Sequence, residues 1–397
     1  MSEFIYLDNS STTFPKPKEV LDFAYEFYRT NGVNPSRATY NISHKAETVV
    51  LEARTMLMKF FNGDGKPERL VFSYNASDAL NLIIQGMLKS GDHAITTTIE
   101  HNSVLRPLYI LSQQREIKVD YITFDSRGYV DPDDIKKKIK KNTKLVIVNH
   151  GSNVLGTVQP VGEIGKICRE RGVPFAIDTA QTAGVFPIDM ERDYIDIVAF
   201  TGHKSLFAPA GIGGLYVRDG INIETTKFGG TGVKSAVRTH LEEYPFRLEC
   251  GTLNTLGVAA LHAGQKFIQK IGLDTIRNHE MKLLKMFING LRNTEGITLY
   301  CPDSLEARVP VQSLNIDGYK ADNVGTFLDV DYKIGIRAGL QCAPLTHETI
   351  GTMPEGAVRF SFGYFNTKAH IEHAINAVKE LAELGKKRKH SCKFQFK

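Results

Sequence analysis

Between about Glu68 and Val217 short apolar runs alternate with amphipathic stretches. Leu70-Val71-Phe72, His93-Ala94-Ile95-Thr96, Lys144 to Val148, Val173 to Ile177, Ile195 to Phe200 and Gly214 to Val217 read as strands, and Val119 to Phe124 alternates as a strand does. The stretches between them predict helices over Ala79 to Leu88, Val104 to Gln114, Pro132 to Lys140 and Ile164 to Glu170. Strands separated by helices require crossover connections, which implies an α/β fold with a mainly parallel sheet buried on both faces. After Thr255 the texture changes. Long helical patterns, Leu256 to Ile271 and Leu273 to Leu291, lead into sparser strands at Ile297 to Tyr300, Val309 to Ile316 and Val358 to Phe362. A helix over Lys368 to Leu384 follows, and the whole reads as a smaller α+β domain. The segment before Pro35 has little sheet of its own and is expected to pack against one of the two domains.

Composition narrows the class. The chain has 397 residues, 42% hydrophobic and 23% charged, which excludes collagen-like, disordered and disulfide-scaffold proteins. No apolar run approaches the roughly 18–20 residues of a membrane helix. The start, Met1-Ser2-Glu3-Phe4-Ile5-Tyr6, lacks the pattern of a secretory signal, so a cytoplasmic protein without membrane contact is expected. The net charge of +5 is concentrated at the end, where residues 386–397 hold five Lys, one Arg and no acid. A basic tail reads as a solvated end, so no nucleic-acid partner is expected. The cysteines (Cys168, Cys250, Cys301, Cys342 and Cys392) are five and scattered, with no Cys-x-x-Cys. They suggest neither a zinc site nor a disulfide framework.

In an open parallel sheet, ligands sit beyond the carboxyl ends of the strands. Five such ends carry polar groups: Asn75-Ala76-Ser77, Glu100-His101-Asn102, Asn149 to Asn153, Asp178 to Gln181, and Thr201-Gly202-His203-Lys204. Asn75-Ala76-Ser77-Asp78 reads either as a helix cap or as a phosphate cradle. Asp178 ends an apolar strand, where a carboxylate needs a cation, either an arginine or a protonated ligand nitrogen. His101 is either a core histidine or a ring stacked on an aromatic cofactor. Lys204 follows an apolar strand. It either extends its amine to solvent or is desolvated into a nucleophile that forms Schiff bases. Cys342, in Arg337-Ala338-Gly339-Leu340-Gln341-Cys342-Ala343-Pro344, sits on a loop where a thiol can act as a nucleophile. Cys168 reads as a packing residue.

As an ordered set, Glu100-His101-Asn102-Ser103, Asp178-Thr179-Ala180-Gln181, Thr201-Gly202-His203-Lys204 and the Cys342 loop resemble the class V aminotransferases. The likeness is to their cysteine desulfurase and selenocysteine lyase branch, of the group II type with a short cysteine loop. It extends from Tyr6-Leu7-Asp8-Asn9-Ser10-Ser11-Thr12-Thr13 to Arg359-Phe360-Ser361-Phe362-Gly363 and beyond. The resemblance implies a pyridoxal-phosphate enzyme of fold type I, the aspartate-aminotransferase-like architecture. A large domain would span 18–255, a small domain 1–17 with 256–385, and a basic tail 386–397.

The same likeness assigns roles. Lys204 would carry pyridoxal 5'-phosphate as a Schiff base, Asp178 would pair with the ring nitrogen and His101 would stack on the ring. Asn153 and Gln181 would bond around it, and Asn153 would also meet substrate. Ala76, Ser77, Thr201 and His203 would hold the phosphate, with Thr252 reaching it from the second subunit of a homodimer. Arg359 would clamp the substrate carboxylate. Cys342 would take sulfur from L-cysteine as a persulfide, leaving L-alanine, and pass it to a sulfur-acceptor protein. A lyase acting on L-selenocysteine, or another class V lyase or aminotransferase in which Cys342 is incidental, is the alternative. Two positions depart from the family pattern. Asn75-Ala76-Ser77 stands where a Gly-Thr-Thr run is usual, and Gln341 stands beside the cysteine where many relatives have His.

Overall fold

The computed structural model describes residues 4–35, 40–300 and 304–394. In chain order it contains β1 (Ile5–Tyr6), α1 (Lys18–Asn31), α2 (Asn41–Phe60), β2 (Leu70–Ser73), α3 (Ala76–Met87), β3 (His93–Thr97), α4 (Asn102–Gln114) and β4 (Lys118–Ile122). Next come α5 (Pro132–Lys138), β5 (Thr143–Asn149), α6 (Val161–Arg171), β6 (Phe175–Asp178), β7 (Ile197–Thr201), β8 (Gly213–Val217), α7 (Thr255–Ile271) and α8 (Leu273–Leu291). The chain closes with β9 (Ile297–Tyr300), β10 (Val311–Ile316), α9 (Ala321–Tyr332), β11 (Ile334–Gly335), α10 (Pro344–Thr349), β12 (Val358–Ser361) and α11 (Lys368–Phe394).

Seven strands form the main sheet in the order β2-β8-β7-β6-β5-β3-β4. Only β8 runs against its neighbours, pairing antiparallel with both β7 and β2. Because side chains alternate along a strand, one sheet can feed two cores. Val146, Val148, Phe175, Ile177, Val198 and Phe200 pack with residues of α1, α2, α6 and α7. Their neighbours Leu145, Ile147, Ala176, Ile197 and Ala199 pack with α3 and α4 on the other face. The near-continuous apolar runs of these strands follow from burial on both faces.

A three-stranded antiparallel sheet, β12-β10-β9, forms the second layer system, with Leu283, Phe287, Val324, Ile371 and Val378 in its core. The packing differs from the division expected at residue 255. Val258, Ala260, Leu261 and Phe267 of α7 lie in the main-sheet core, and α8 bridges the two, with Ile276 in the first core and Leu283 to Leu291 in the second. The segment before Pro35 also contacts both units. β1 pairs parallel with β11 and places Ile5 and Leu7 in the smaller core, whereas Val20 and Ala24 of α1 pack in the larger.

The final helix runs past Leu384 to Phe394, into the basic stretch. Cys301, the last three residues of the tail, and the side chains from 388 onward, Cys392 included, lie outside the described residues. Among the described residues no helix is long and apolar enough to cross a membrane.

Candidate active site

The carboxyl ends of β2, β3, β5, β6 and β7 open into one cavity of about 340 Å³. Its lining includes Ala76, Ser77, His101, Asn153, Asp178, Gln181, Thr201, His203, Lys204, Cys342 and Arg359. Every site residue named from the sequence is therefore in one place, except Thr252. Gly251-Thr252 lines a separate cavity of about 940 Å³, with Asn34, Arg54, Phe246 and Glu249 among its walls.

Local structure explains the convergence. Asn75 caps α3 by accepting the Asp78 N–H at 3.0 Å, so the cap reading holds, and the first-turn amides of Ala76 and Ser77 lie at the cavity wall. Helix N-termini favour anions. Gly213 makes this approach possible: a Cβ there would sit 2.7 Å from the Asn75 Cα and from the Phe200 carbonyl oxygen. Asp178 ends β6, 4% exposed, with Oδ1 accepting the Ala180 N–H at 2.8 Å. Burial raises the pKa of Asp178, and Lys204 opposes the rise. The same desolvation lowers the Lys204 amine to about 8, Asp178 acting in the opposite sense. A lysine so placed is a much better nucleophile at neutral pH than an exposed one.

His101 caps α4, its Nδ1 accepting the Ser103 N–H at 3.0 Å and lying 2.8 Å from the Ser103 Oγ. The Ser77 and Ser103 hydroxyls are 2.5 Å apart. Two donors on Nδ1 leave the ring proton on Nε2. Burial, then the charge of Lys204, lowers the His101 pKa to about 4, so the ring is neutral. The Thr201 Oγ1, the Asn153 Oδ1 and the Arg359 Nε are buried without a hydrogen-bond partner. Buried polar atoms of this kind call for a ligand.

Arg359 reaches the cavity from β12, in the three-stranded sheet. Its Nη2 donates to the Asp8 Oδ1 at 2.6 Å and to the Ser11 Oγ at 2.9 Å, and its Nη1 donates to the Asn153 carbonyl at 3.1 Å. Both terminal nitrogens of the guanidinium are thus engaged, and its Nε is left without a partner. Cys342 is exposed, and its carbonyl accepts the Asn102 N–H at 2.7 Å. Cys168 is buried, as its helical pattern implied.

The sequence reading assigned no role to Asp8, Ser11, Ser103 or Arg337. Ser103 and Arg337 line the cavity, and Asp8 and Ser11 brace Arg359. Asp8 and Ser11 follow a strand of only two residues, too short for periodicity to register. Among the described residues no group of three or more His, Cys, Asp or Glu could hold a metal ion. The chemistry available is an amine nucleophile facing a carboxyl, an anion cradle, a guanidinium and a loop thiol.

Comparison with known proteins identifies the family. The family described as Aminotransferase class-V matches residues 5–373. A probable cysteine desulfurase of Pyrococcus abyssi is 34% identical over 388 residues, 96% of this chain and 95% of the relative. One of Methanothermobacter thermautotrophicus is 32% identical, covering 97% and 96%. The apo structure of a cysteine desulfurase from Thermococcus onnurineus superposes with a TM-score of 0.88 at 34% identity, over 96% of this chain and 95% of that one. Enzymes of this family depend on pyridoxal 5'-phosphate. With a family match across nearly its whole length and relatives of this identity, the chain belongs to the class V aminotransferases.

Proposed function

We propose that this protein is a pyridoxal-phosphate-dependent cysteine desulfurase, converting L-cysteine to L-alanine and holding the released sulfur as a persulfide on Cys342. The observation that carries the reading is the convergence of the Lys204 amine, the Asp178 carboxyl, the Arg359 guanidinium and the Cys342 thiol on one cavity. The residues fit the cofactor. The unpaired Thr201 hydroxyl and the α3 amides suit a phosphate, and a buried acid beside a lysine suits a protonated ring nitrogen.

When bound, the cofactor supplies an aldehyde for amines and a ring that takes up electron density from Cα. Lys204 would hold it and, once free, move the Cα proton. Asp178 would keep the ring nitrogen protonated. His101 would stack on the ring, Asn153 and Gln181 would bond around it, and Ala76, Ser77, Thr201 and His203 would grip the phosphate. Arg359 would receive the substrate carboxylate, the geometry guanidinium suits. The Cys342 thiolate attacks the substrate γ-sulfur. An S–S bond forms as the carbon–sulfur bond breaks, and the bonding pair stays with the alanine carbon and takes up a proton. The persulfide then passes its outer sulfur to an acceptor thiol, which restores Cys342.

The position of Thr252, away from the active-site cavity of its own chain, supports a homodimer in which Thr252 of the partner subunit reaches the phosphate. Three free cysteines among the described residues suit a reducing cytoplasm.

The test uses purified protein supplied with the cofactor and L-cysteine. With a dithiol reductant present to discharge the persulfide, alanine and sulfide are released together, Cys342→Ser abolishes both, and Lys204→Ala loses the visible absorbance of the bound cofactor. Full activity in Cys342→Ser would overturn the persulfide step. A faster release of alanine from selenocysteine, independent of Cys342, would favour a lyase.

A further inference from the structure

The Cys342 loop is braced by hydrogen bonds of its own backbone and of the Gln341 side chain. Gln341 and Cys342 both have left-handed backbone, φ 42° and 58°, an arrangement that non-glycine residues keep only where their surroundings hold them. The Asn153 Nδ2 donates to the Gln341 carbonyl at 2.7 Å, and the Asn102 N–H donates to the Cys342 carbonyl. The Gln341 side chain, 5% exposed, points into a buried chain of hydrogen bonds. Its Nε2 donates to the Ala357 carbonyl at 2.6 Å, one residue before β12 begins. That fixes its Oε1 as an acceptor, facing the His347 Nε2 at 2.7 Å.

His347, on α10 and fully buried, therefore carries its proton on Nε2, and its Nδ1 accepts from the Thr352 hydroxyl at 2.7 Å. Burial lowers the His347 pKa to about 4, so the ring is neutral at physiological pH. With Nε2 engaged by Gln341 and Nδ1 by Thr352, the imidazole has no nitrogen left for the thiol. It holds a geometry and does not exchange a proton with substrate.

We propose that His347, acting through Gln341, is a positioning residue that sets the Cys342 thiol for attack on the substrate sulfur. The chain Thr352–His347–Gln341–Ala357 ties the thiol loop to the strand that carries Arg359. The nucleophile and the carboxylate clamp are thereby held at a fixed spacing. Gln341 suits this task because an amide has both the donor and the acceptor that the chain needs. The inference rests on the desulfurase reading only for the direction of the catalytic effect; the bracing of the loop is independent of it.

Two measurements on cofactor-loaded protein test it: alkylation of Cys342 by iodoacetamide, followed by peptide mapping, and steady-state alanine release from cysteine. His347→Phe removes the donor to Gln341, whereas His347→Gln restores an N–H of similar reach. In His347→Phe, alkylation of Cys342 is expected to rise about fivefold, as loss of one buried hydrogen bond allows. Its kcat is expected to fall by about tenfold or more with KM for cysteine nearly unchanged, since misplacing a nucleophile costs rate and not ground-state binding. His347→Gln recovers most of both. Alkylation and kcat within about twofold of wild type in His347→Phe, or a His347→Gln variant as impaired as His347→Phe, overturns the proposal. Should His347→Phe fail to fold, Thr352→Val frees the far side of the same ring and is expected to move both readouts in the same directions, and unchanged readouts overturn the proposal. Wild-type protein that releases no alanine from cysteine defeats the desulfurase reading, while the alkylation series still decides the bracing role.

Discussion

Glu100 shows how a single buried group shifts stability with pH. Its Oε1 accepts from the Thr97 hydroxyl at 2.6 Å and from the Asn149 N–H at 2.9 Å, and its Oε2 is buried without a partner. Desolvation raises its pKa from 4.5 to about 8. Above pH 4.5 the unfolded chain ionises this group while the folded chain keeps it protonated, so the folded state loses stability as pH rises to about 8. Glu100→Gln removes that penalty and keeps the acceptor. Its urea midpoint should exceed that of wild type by a margin that widens across this range; a margin independent of pH would contradict the assignment. Residues at the ends of apolar strands were legible in the sequence because burial of a polar group announces itself there: Asp178, Lys204 and Thr201 are all of this kind. Asp8 and Ser11 were not, because each acts through Arg359, which lies in a different part of the chain and meets them only on folding. His347 could be read as near Cys342, but only folding shows that Gln341 stands between its ring and Ala357.

At the level of elements, the strand ends are placed by close packing. Gly213 starts β8 at the point where Asn75 turns the chain into α3. Gly213→Ala inserts a methyl group 2.7 Å from backbone atoms on two sides. The variant should lose about 1–3 kcal/mol of stability, the range for overpacking a close-packed site. Because the displaced element carries the Ala76 and Ser77 amides, it should also release cofactor faster on dialysis. Wild-type retention together with lower stability would separate the two effects. Most of the main-sheet strands and helices were legible, since apolar runs and helical spacing each persist over several residues there. The pairing of β8 was not, because a short apolar run carries no sign of direction. α1 and α2 also went unread. α1 buries only Val20, Ala24 and Phe27 and leaves Tyr25 and Tyr28 exposed, so its apolar stripe is blurred by surface aromatics.

For the whole molecule, the second cavity beside Gly251-Thr252 bears on assembly. If Thr252 of the partner subunit grips the phosphate, sedimentation at micromolar concentration gives a dimer and Thr252→Val sheds cofactor faster without losing its fold. A stable, fully active monomer would rule out the shared site. The α/β class and the smaller α+β unit were legible from the change of texture near Thr255. The place where the two cores meet was not, because α7 and α8 have similar amphipathic patterns and only packing shows that they serve different cores.

The pairing of β1 with β11, and of Asp8 with Arg359, joins the first residues of the chain to a region more than three hundred residues later. During synthesis on the ribosome the amino-terminal strand must therefore wait, unpaired, until its counterpart has emerged. Lys204 leaves the exit tunnel well before Cys342 and Arg359 do. A nascent chain has its amine long before its thiol and its clamp, so the cavity gains its full set of groups only after β12 has emerged.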